Sequence, residues 1–268
     1  MSDALPMSQR SIDDLPGHWL LARLGKRVLR PGGRELTDRL ITAARPTGAD
    51  VIELAPGLGK TAQLLLEQKP ASYRGVDEDA EAVTLSSAAV GSAGTVTEGK
   101  AQATGLDAAS ADVVFGEAML TMQGQKGKDA IVAEAHRLLR DGGRYAIHEL
   151  CLEPDTLDDD AKTEIRQALA RSIKVNARPL TTEEWSDLLI SHGFEIESVQ
   201  HNGMELLKPR RNLADEGVRG VATIAVNLLR NPGARKRVLG MREVFNRYSD
   251  NLAAIAIVAR KKADDEQA

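Results

Sequence analysis

The stretch VIELAPGLGKT, Val51 to Thr61, sets a carboxylate, Glu53, at the end of an apolar run and follows it with Gly57, Gly59 and Lys60. Glycines at that spacing let backbone approach a ligand closely, and the ligand is a triphosphate, a dinucleotide, or something without phosphate. A phosphate loop of the G-x-x-x-x-G-K-[ST] type ends as Gly59-Lys60-Thr61 does, but Leu54 holds the place of its first glycine. The later segment ADVVFGEA offers Gly116 and Glu117 where a magnesium-holding aspartate is expected. A dinucleotide fingerprint is nominally met by Gly57, Gly59 and Ala62, with Asp77 at about the right distance for a ribose. Against it stands Glu53, which would face an incoming pyrophosphate and repel it. The same carboxylate makes sense if the ligand carries an ammonium there.

The elements that hold these residues alternate regularly. GRELTDRLITAARP reads as a helix with apolar residues three to four apart, and VIELA is the strand that runs into the glycine turn. KTAQLLLEQ is a helix, SYRGVD a strand, EDAEAVTLSSAA a helix and GTVTEGKA a strand. ADVVFGEA and RYAIHELCL are strands around KDAIVAEAHRLLRDGG, a helix closed by a glycine C-cap. Such β-α alternation implies an α/β fold, a doubly wound parallel sheet with helices on both faces and the ligand at the carboxyl ends of the strands. Further on, TTEEWSDLLISHGF carries a capping box, Thr181 with Glu184, and leads to the strand EIESVQHNGMELL; LAAIAIVARKK is the last strand. Helical cap insertions are expected at about 155–178 and 208–250, the second carrying ten Lys or Arg against three Asp or Glu over residues 208–247. Residues 1–45 form an N-terminal lid and first helix, with 46–268 as the main domain.

Composition excludes several classes. A net charge of -4 and a pI near 5.8 leave no footprint for wrapping nucleic acid. No apolar run reaches the ~18 residues of a membrane span, and the N-terminus lacks a signal-peptide pattern, so a cytoplasmic protein is expected. One cysteine, Cys151, and five histidines without ligand spacing argue against a disulfide framework and a protein metal site.

With Glu53 before the turn, Asp77 in YRGVDED and the segment GKAQATGLDAASADVVFGEA, the chain resembles the class I S-adenosylmethionine-dependent methyltransferases over about residues 48–152. The resemblance implies a Rossmann-like, seven-stranded, mostly parallel sheet whose last strand is antiparallel. It also implies S-adenosyl-L-methionine as cofactor. Glu53 would accept from the methionine ammonium, Gly57 and Gly59 would floor the cofactor, and Asp77, with Glu78 beside it, would take the ribose hydroxyls. The family's first glycine of the turn is Ala55 here, so that position is expected to keep an ordinary backbone conformation. Lys100 replaces the aspartate that often binds the adenine amino group, so adenine recognition is expected from backbone around Lys100 and Ala101.

Methyl transfer is an in-line displacement with an activated leaving group, so alignment and exclusion of water supply much of the rate. If the acceptor must lose a proton, His148, Glu149, Glu117 or His18 could serve, with Glu149 or His148 foremost. One of these two neighbours should point into the cleft, because adjacent strand residues face opposite ways. Glu117 could instead contact the methionine moiety or the substrate. Met119 and Met122 are expected to fill gaps near the cleft wall, and His18 and Trp19 to form a lid or a staple. GEAML stands where base-specific amino methyltransferases carry an Asp/Asn-Pro-Pro-aromatic stretch, and one thiol is too few for arsenic methylation. The order of core and caps looks closest to the small-molecule group that includes the ubiquinone and menaquinone biosynthesis enzymes. Its basic, apolar cap suits a hydrophobic or anionic small-molecule acceptor. A nicotinamide-dependent oxidoreductase and a non-catalytic nucleoside-binding module are the alternatives.

Overall fold

The computed structural model describes residues 10–204, 206–207 and 209–263. Five strands pair in parallel in the order β3-β2-β1-β4-β5: β1 (Asp50–Leu54), β2 (Ser72–Asp77), β3 (Thr95–Glu98), β4 (Ala111–Glu117) and β5 (Leu139–Leu152). The crossover helices are α3 (Lys60–Glu67), α4 (Ala80–Val90) and α5 (Gln125–Leu138). The last strand, β8 (Leu252–Lys261), enters antiparallel between β5 and β7 (Phe194–Gly203). An eighth strand that periodicity does not reveal, the two-residue β6 (Leu180–Thr181), pairs with Cys151 and Leu152. It is short because Thr181 also caps α7 (Thr182–Ile190), where the expected capping box closes with Glu184.

Alternation along the strands makes two cores. On one face Val51, Val113, Phe115 and Ala146 meet Leu36, Leu40 and Ile41 of α2 (Gly33–Ala44) and Leu65 of α3. On the other, Ile52, Val114, Tyr145 and Ile147 meet Ile131 and Ala135 of α5 and Trp185 and Leu189 of α7. The same alternation puts Glu53, Glu117 and His148 on the α2 face and Glu149 on the α5 face.

The glycine C-cap expected for α5 is not there. The helix stops at Leu138 and Leu139 is already extended. Gly142, with φ 74°, instead bends the early part of β5, where the register with β4 jumps from Ala111–Leu139 to Val113–Arg144.

A helical cap covers the carboxyl edge of the sheet. It comprises α1 (Gly17–Arg23), α6 (Asp159–Ile173), α8 (Pro209–Arg230) and α9 (Pro232–Arg247). Leu20, Leu21 and Leu24 from α1 and its C-cap pack with Ala234 and Met241 of α9. The helix α8 breaks at Gly217, whose φ of 68° and ψ of 176° lie outside helical values. Just before the break, Glu216 accepts from the Arg27 and Val28 amides at 2.8 Å each and pairs with Lys26, fastening α8 to the segment that follows α1.

Candidate functional site

Strand order reverses at β1, whose neighbours are β2 and β4, and a cavity of about 610 Å³ opens at the carboxyl ends of these strands. Glu53, Ala55, Gly57, Asp77, Glu78, Ala101 and Glu117 line it; Gly59, Lys100, His148 and Glu149 do not.

The floor is built by the β1 turn. Glu53 is 2% exposed and accepts from the Tyr73 hydroxyl at 2.6 Å. Burial pushes its pKa up to about 8. Asp77, at the end of β2, accepts from the Gly57 amide at 2.9 Å and the Asp79 amide at 3.1 Å, and burial raises its pKa as well. Asp77 is thus tied to the glycine turn, while the N-cap of α4 is Asp79. Ala55 does not keep an ordinary backbone conformation. Its φ is 55°, held by its amide donating to Val76 O at 2.8 Å, a conformation that costs an L-residue about 1–2 kcal/mol. Ala118, after β4, repeats the device with φ 55° and its amide on His148 O at 2.8 Å. Gly59 serves packing: its φ is 69°, and a Cβ there would lie 2.6 Å from Ala89 Cβ of α4. Lys100 is exposed, and its carbonyl accepts from the Ala103 amide, so Ala101 and Gln102 form the wall at that end.

The expectation that His148 or Glu149 faces the cleft is not met. His148 pairs in register with Glu117 and lies on the α2 face, fully buried. The Gly32 amide donates to its Nε2 at 3.1 Å, which leaves the proton on Nδ1 to donate to Glu117 at 2.7 Å. Glu117 also accepts from Arg30 Nη1 at 2.9 Å and from the hydroxyls of Thr37 and Thr61, which themselves accept from Arg30. Burial alone would raise its pKa, but Arg30, His148 and Thr37 outweigh it and hold the carboxyl at about 2. Glu117 is therefore an ionised partner of Arg30. Glu149 is saturated by the amides of Met119, Leu120 and Thr121 at 2.8–3.0 Å and the Thr121 hydroxyl at 2.7 Å. It pins the loop after β4, and that loop presents Met119 and Met122 to the cavity.

The roof comes from the N-terminal segment, through His18, Trp19, Arg27, Leu29 and Arg30. Burial pushes the His18 imidazole down to about 4, so it is neutral at physiological pH, and its ring lies 4.8 Å from that of Trp19. Arg30, 5% exposed, bonds only through Nη1 among the described residues, leaving its Nε and Nη2 groups without a protein acceptor. Sequence reasoning missed Arg30, Thr37, Thr61 and Tyr73. Tyr73 was legible in part, since on β2 it falls on the same strand face as Asp77. Arg30 sits in a turn with no periodic signal.

Residues 52–147 match the methyltransferase domain family. An uncharacterized protein of Haemophilus influenzae is 32% identical over 254 residues, covering 92% of this chain and 99% of its own. The crystal structure of MccD protein superposes with a TM-score of 0.68 at 18% identity, over 87% of this chain and 99% of that one. Haemonchus contortus phosphoethanolamine N-methyltransferase 2, in complex with phosphomonomethylethanolamine and S-adenosylhomocysteine, gives a TM-score of 0.68 at 17% identity, over 96% of this chain and 59% of that one. At such identities the two structures share the fold with this chain.

Proposed function

The chain belongs to the class I S-adenosylmethionine-dependent methyltransferases, in one family with the Haemophilus influenzae protein, and from that premise we propose that its acceptor is a small molecule held in the 610 Å³ cavity. The observation that carries the reading is a pair of buried polar groups of opposite function on that cavity: the Glu53 carboxyl on the floor, able to accept from a cation, and Arg30, whose Nε and Nη2 are unengaged among the described residues, able to donate to an anion.

This donor set fits the cofactor. Glu53 would accept from the α-ammonium of the methionine moiety, and Arg30 would donate to its carboxylate. Asp77, already oriented by the Gly57 and Asp79 amides, would accept from the ribose hydroxyls. Ala101 and Gln102 would flank the adenine through backbone and apolar contact. When bound, the cofactor supplies an electrophilic methyl on a sulfonium, a leaving group that needs no acid.

The rest falls to the chain. Trp19 and Leu29 above, and Met119 and Met122 at the side, exclude water and orient the acceptor. His148 and Glu149 position the Glu117–Arg30 pair and the β4 loop and touch no acceptor. His18 is the histidine on the cavity, neutral at pH 7 and able to take a hydrogen bond from the attacking group. With its pKa at about 4 and Glu117 spent on Arg30, transfer rests on alignment and dehydration more than on a strong base.

The test is to incubate the protein with methyl-labelled cofactor and a cell extract separated into small-molecule and macromolecular fractions. Label in small molecules is the expected result. Label confined to protein or nucleic acid would overturn the reading of the acceptor.

A further inference from the structure

The outward face of α8 is apolar where a solvated helix face should be polar. Beyond the break at Gly217, Val218 is 75% exposed, Leu229 70% and Val226 42%, and Ala222 and Ala225 between them are exposed too. These residues recur at i, i+4, i+7, i+8 and i+11, one stripe of the helix. The opposite face is accounted for: Asn227 donates to Leu24 O at 3.1 Å, and Leu228 joins the cluster around α1. The exposed stripe thus has no partner within the described chain, and on the neighbouring α9 Leu239 is also 56% exposed.

Charge indicates what covers it. Residues 217–242 contain six Lys or Arg and no Asp or Glu, in a protein whose net charge is -4. Arg237 turns inward, donating to Ile12 O and Leu15 O. The other five, Arg219, Arg230, Arg235, Lys236 and Arg242, are exposed and make no ion pair among the described residues. Arg230, Arg235 and Lys236 cluster at the turn between α8 and α9, next to Leu229. An apolar stripe bordered by unneutralised cations is the pattern of a helix that lies in the headgroup region of an anionic bilayer. No described helix is long and apolar enough to cross a membrane, so the contact is with its surface.

We propose that the α8–α9 hairpin docks this protein on an anionic lipid surface, with Val218, Val226 and Leu229 buried among acyl chains and the flanking arginines and Lys236 on lipid phosphates. The inner side of α8 holds, through Glu216 and Asn227, the segment that carries Arg27, Leu29 and Arg30. Docking therefore brings the cavity roof to the lipid.

Co-sedimentation of the full chain with vesicles tests this without reference to methyl transfer. The protein should pellet with phosphatidylglycerol-containing vesicles, stay in solution with phosphatidylcholine alone, and be released by high salt. Val218→Asp with Leu229→Asp should weaken binding more than tenfold, and Arg230→Ala or Lys236→Ala about fivefold each, with melting temperatures unchanged. No pelleting with anionic vesicles, equal pelleting with both kinds, or full binding by the aspartate variant would overturn the proposal. So would a dimer in light scattering that the aspartate variant turns into a monomer, because the stripe would then belong to a second copy of the chain.

Discussion

Replacing Glu53 by Gln should stabilise the cofactor-free protein at pH 8 while weakening its hold on the cofactor. Burial pushes the Glu53 pKa from an ordinary 4.5 to about 8, so the carboxyl ionises near pH 4.5 in the unfolded chain and stays protonated to about pH 8 in the folded one. An acid whose folded pKa is raised binds its proton more tightly when folded. The folded state therefore loses stability as pH rises through this window, by at most about 1.4 kcal/mol per pH unit. The whole interval sets a ceiling of about 5 kcal/mol. Gln has the same shape, carries no charge at any pH and can still accept from the Tyr73 hydroxyl. The two proteins should melt together near pH 4.5 and diverge above it. A gain of even 2 kcal/mol at pH 8 corresponds to about 4–8 °C in a chain of this size. Titration calorimetry with S-adenosylhomocysteine supplies the other half. At pH 7 the wild type should release a proton on binding, seen as a heat that depends on the buffer's ionisation enthalpy, because an ammonium favours the ionised carboxylate. The variant should release none and bind at least about tenfold more weakly at pH 8. A variant less stable than wild type at pH 8, or proton release that survives in it, would refute the reasoning.

Arg30→Ala strands Glu117 as a buried, uncompensated anion and should cost about 3–5 kcal/mol in a denaturant melt; adding Glu117→Gln should restore most of that stability but not S-adenosylhomocysteine affinity. Glu149→Gln loses charge-assisted bonds to the β4 loop and should lower thermal stability and kcat together, leaving the pH profile of kcat/KM in place; loss of a limb of that profile would make Glu149 a base after all. Gly59→Ala meets Ala89 at 2.6 Å with φ at 69° and should cost more than about 2 kcal/mol, whereas Gly57→Ala, with nothing nearer than 3.9 Å, should cost about 1 kcal/mol and show its effect in cofactor affinity. Lys100→Ala should leave cofactor affinity within about twofold, since its exposed side chain is off the cavity; abolished binding would break the account of adenine recognition by backbone.

Local pattern was enough to reveal the α/β alternation, the β1 turn, the two acids at the ends of β1 and β2, and the capping box at Thr181, because each depends on residues a few positions apart. The antiparallel last strand followed from the family resemblance. Tertiary structure decided the rest. Whether His148 or Glu149 reaches the cleft depends on which face of β5 each occupies and on what lies across from it. Register set His148 against Glu117, and the loop after β4 folded back onto Glu149, so both side chains were consumed by neighbours distant in sequence. Ala55 took a left-handed conformation because its amide is needed by Val76 of the next strand, a demand that one residue's own preference does not disclose. Arg30 entered the site from an aperiodic segment that the cap presses onto the sheet. Polar groups brought together from five separate elements, an ion pair with two hydroxyls and an imidazole around it, share no spacing in the sequence, and only the packing of α2, α3 and the N-terminal segment on one sheet face makes them a group.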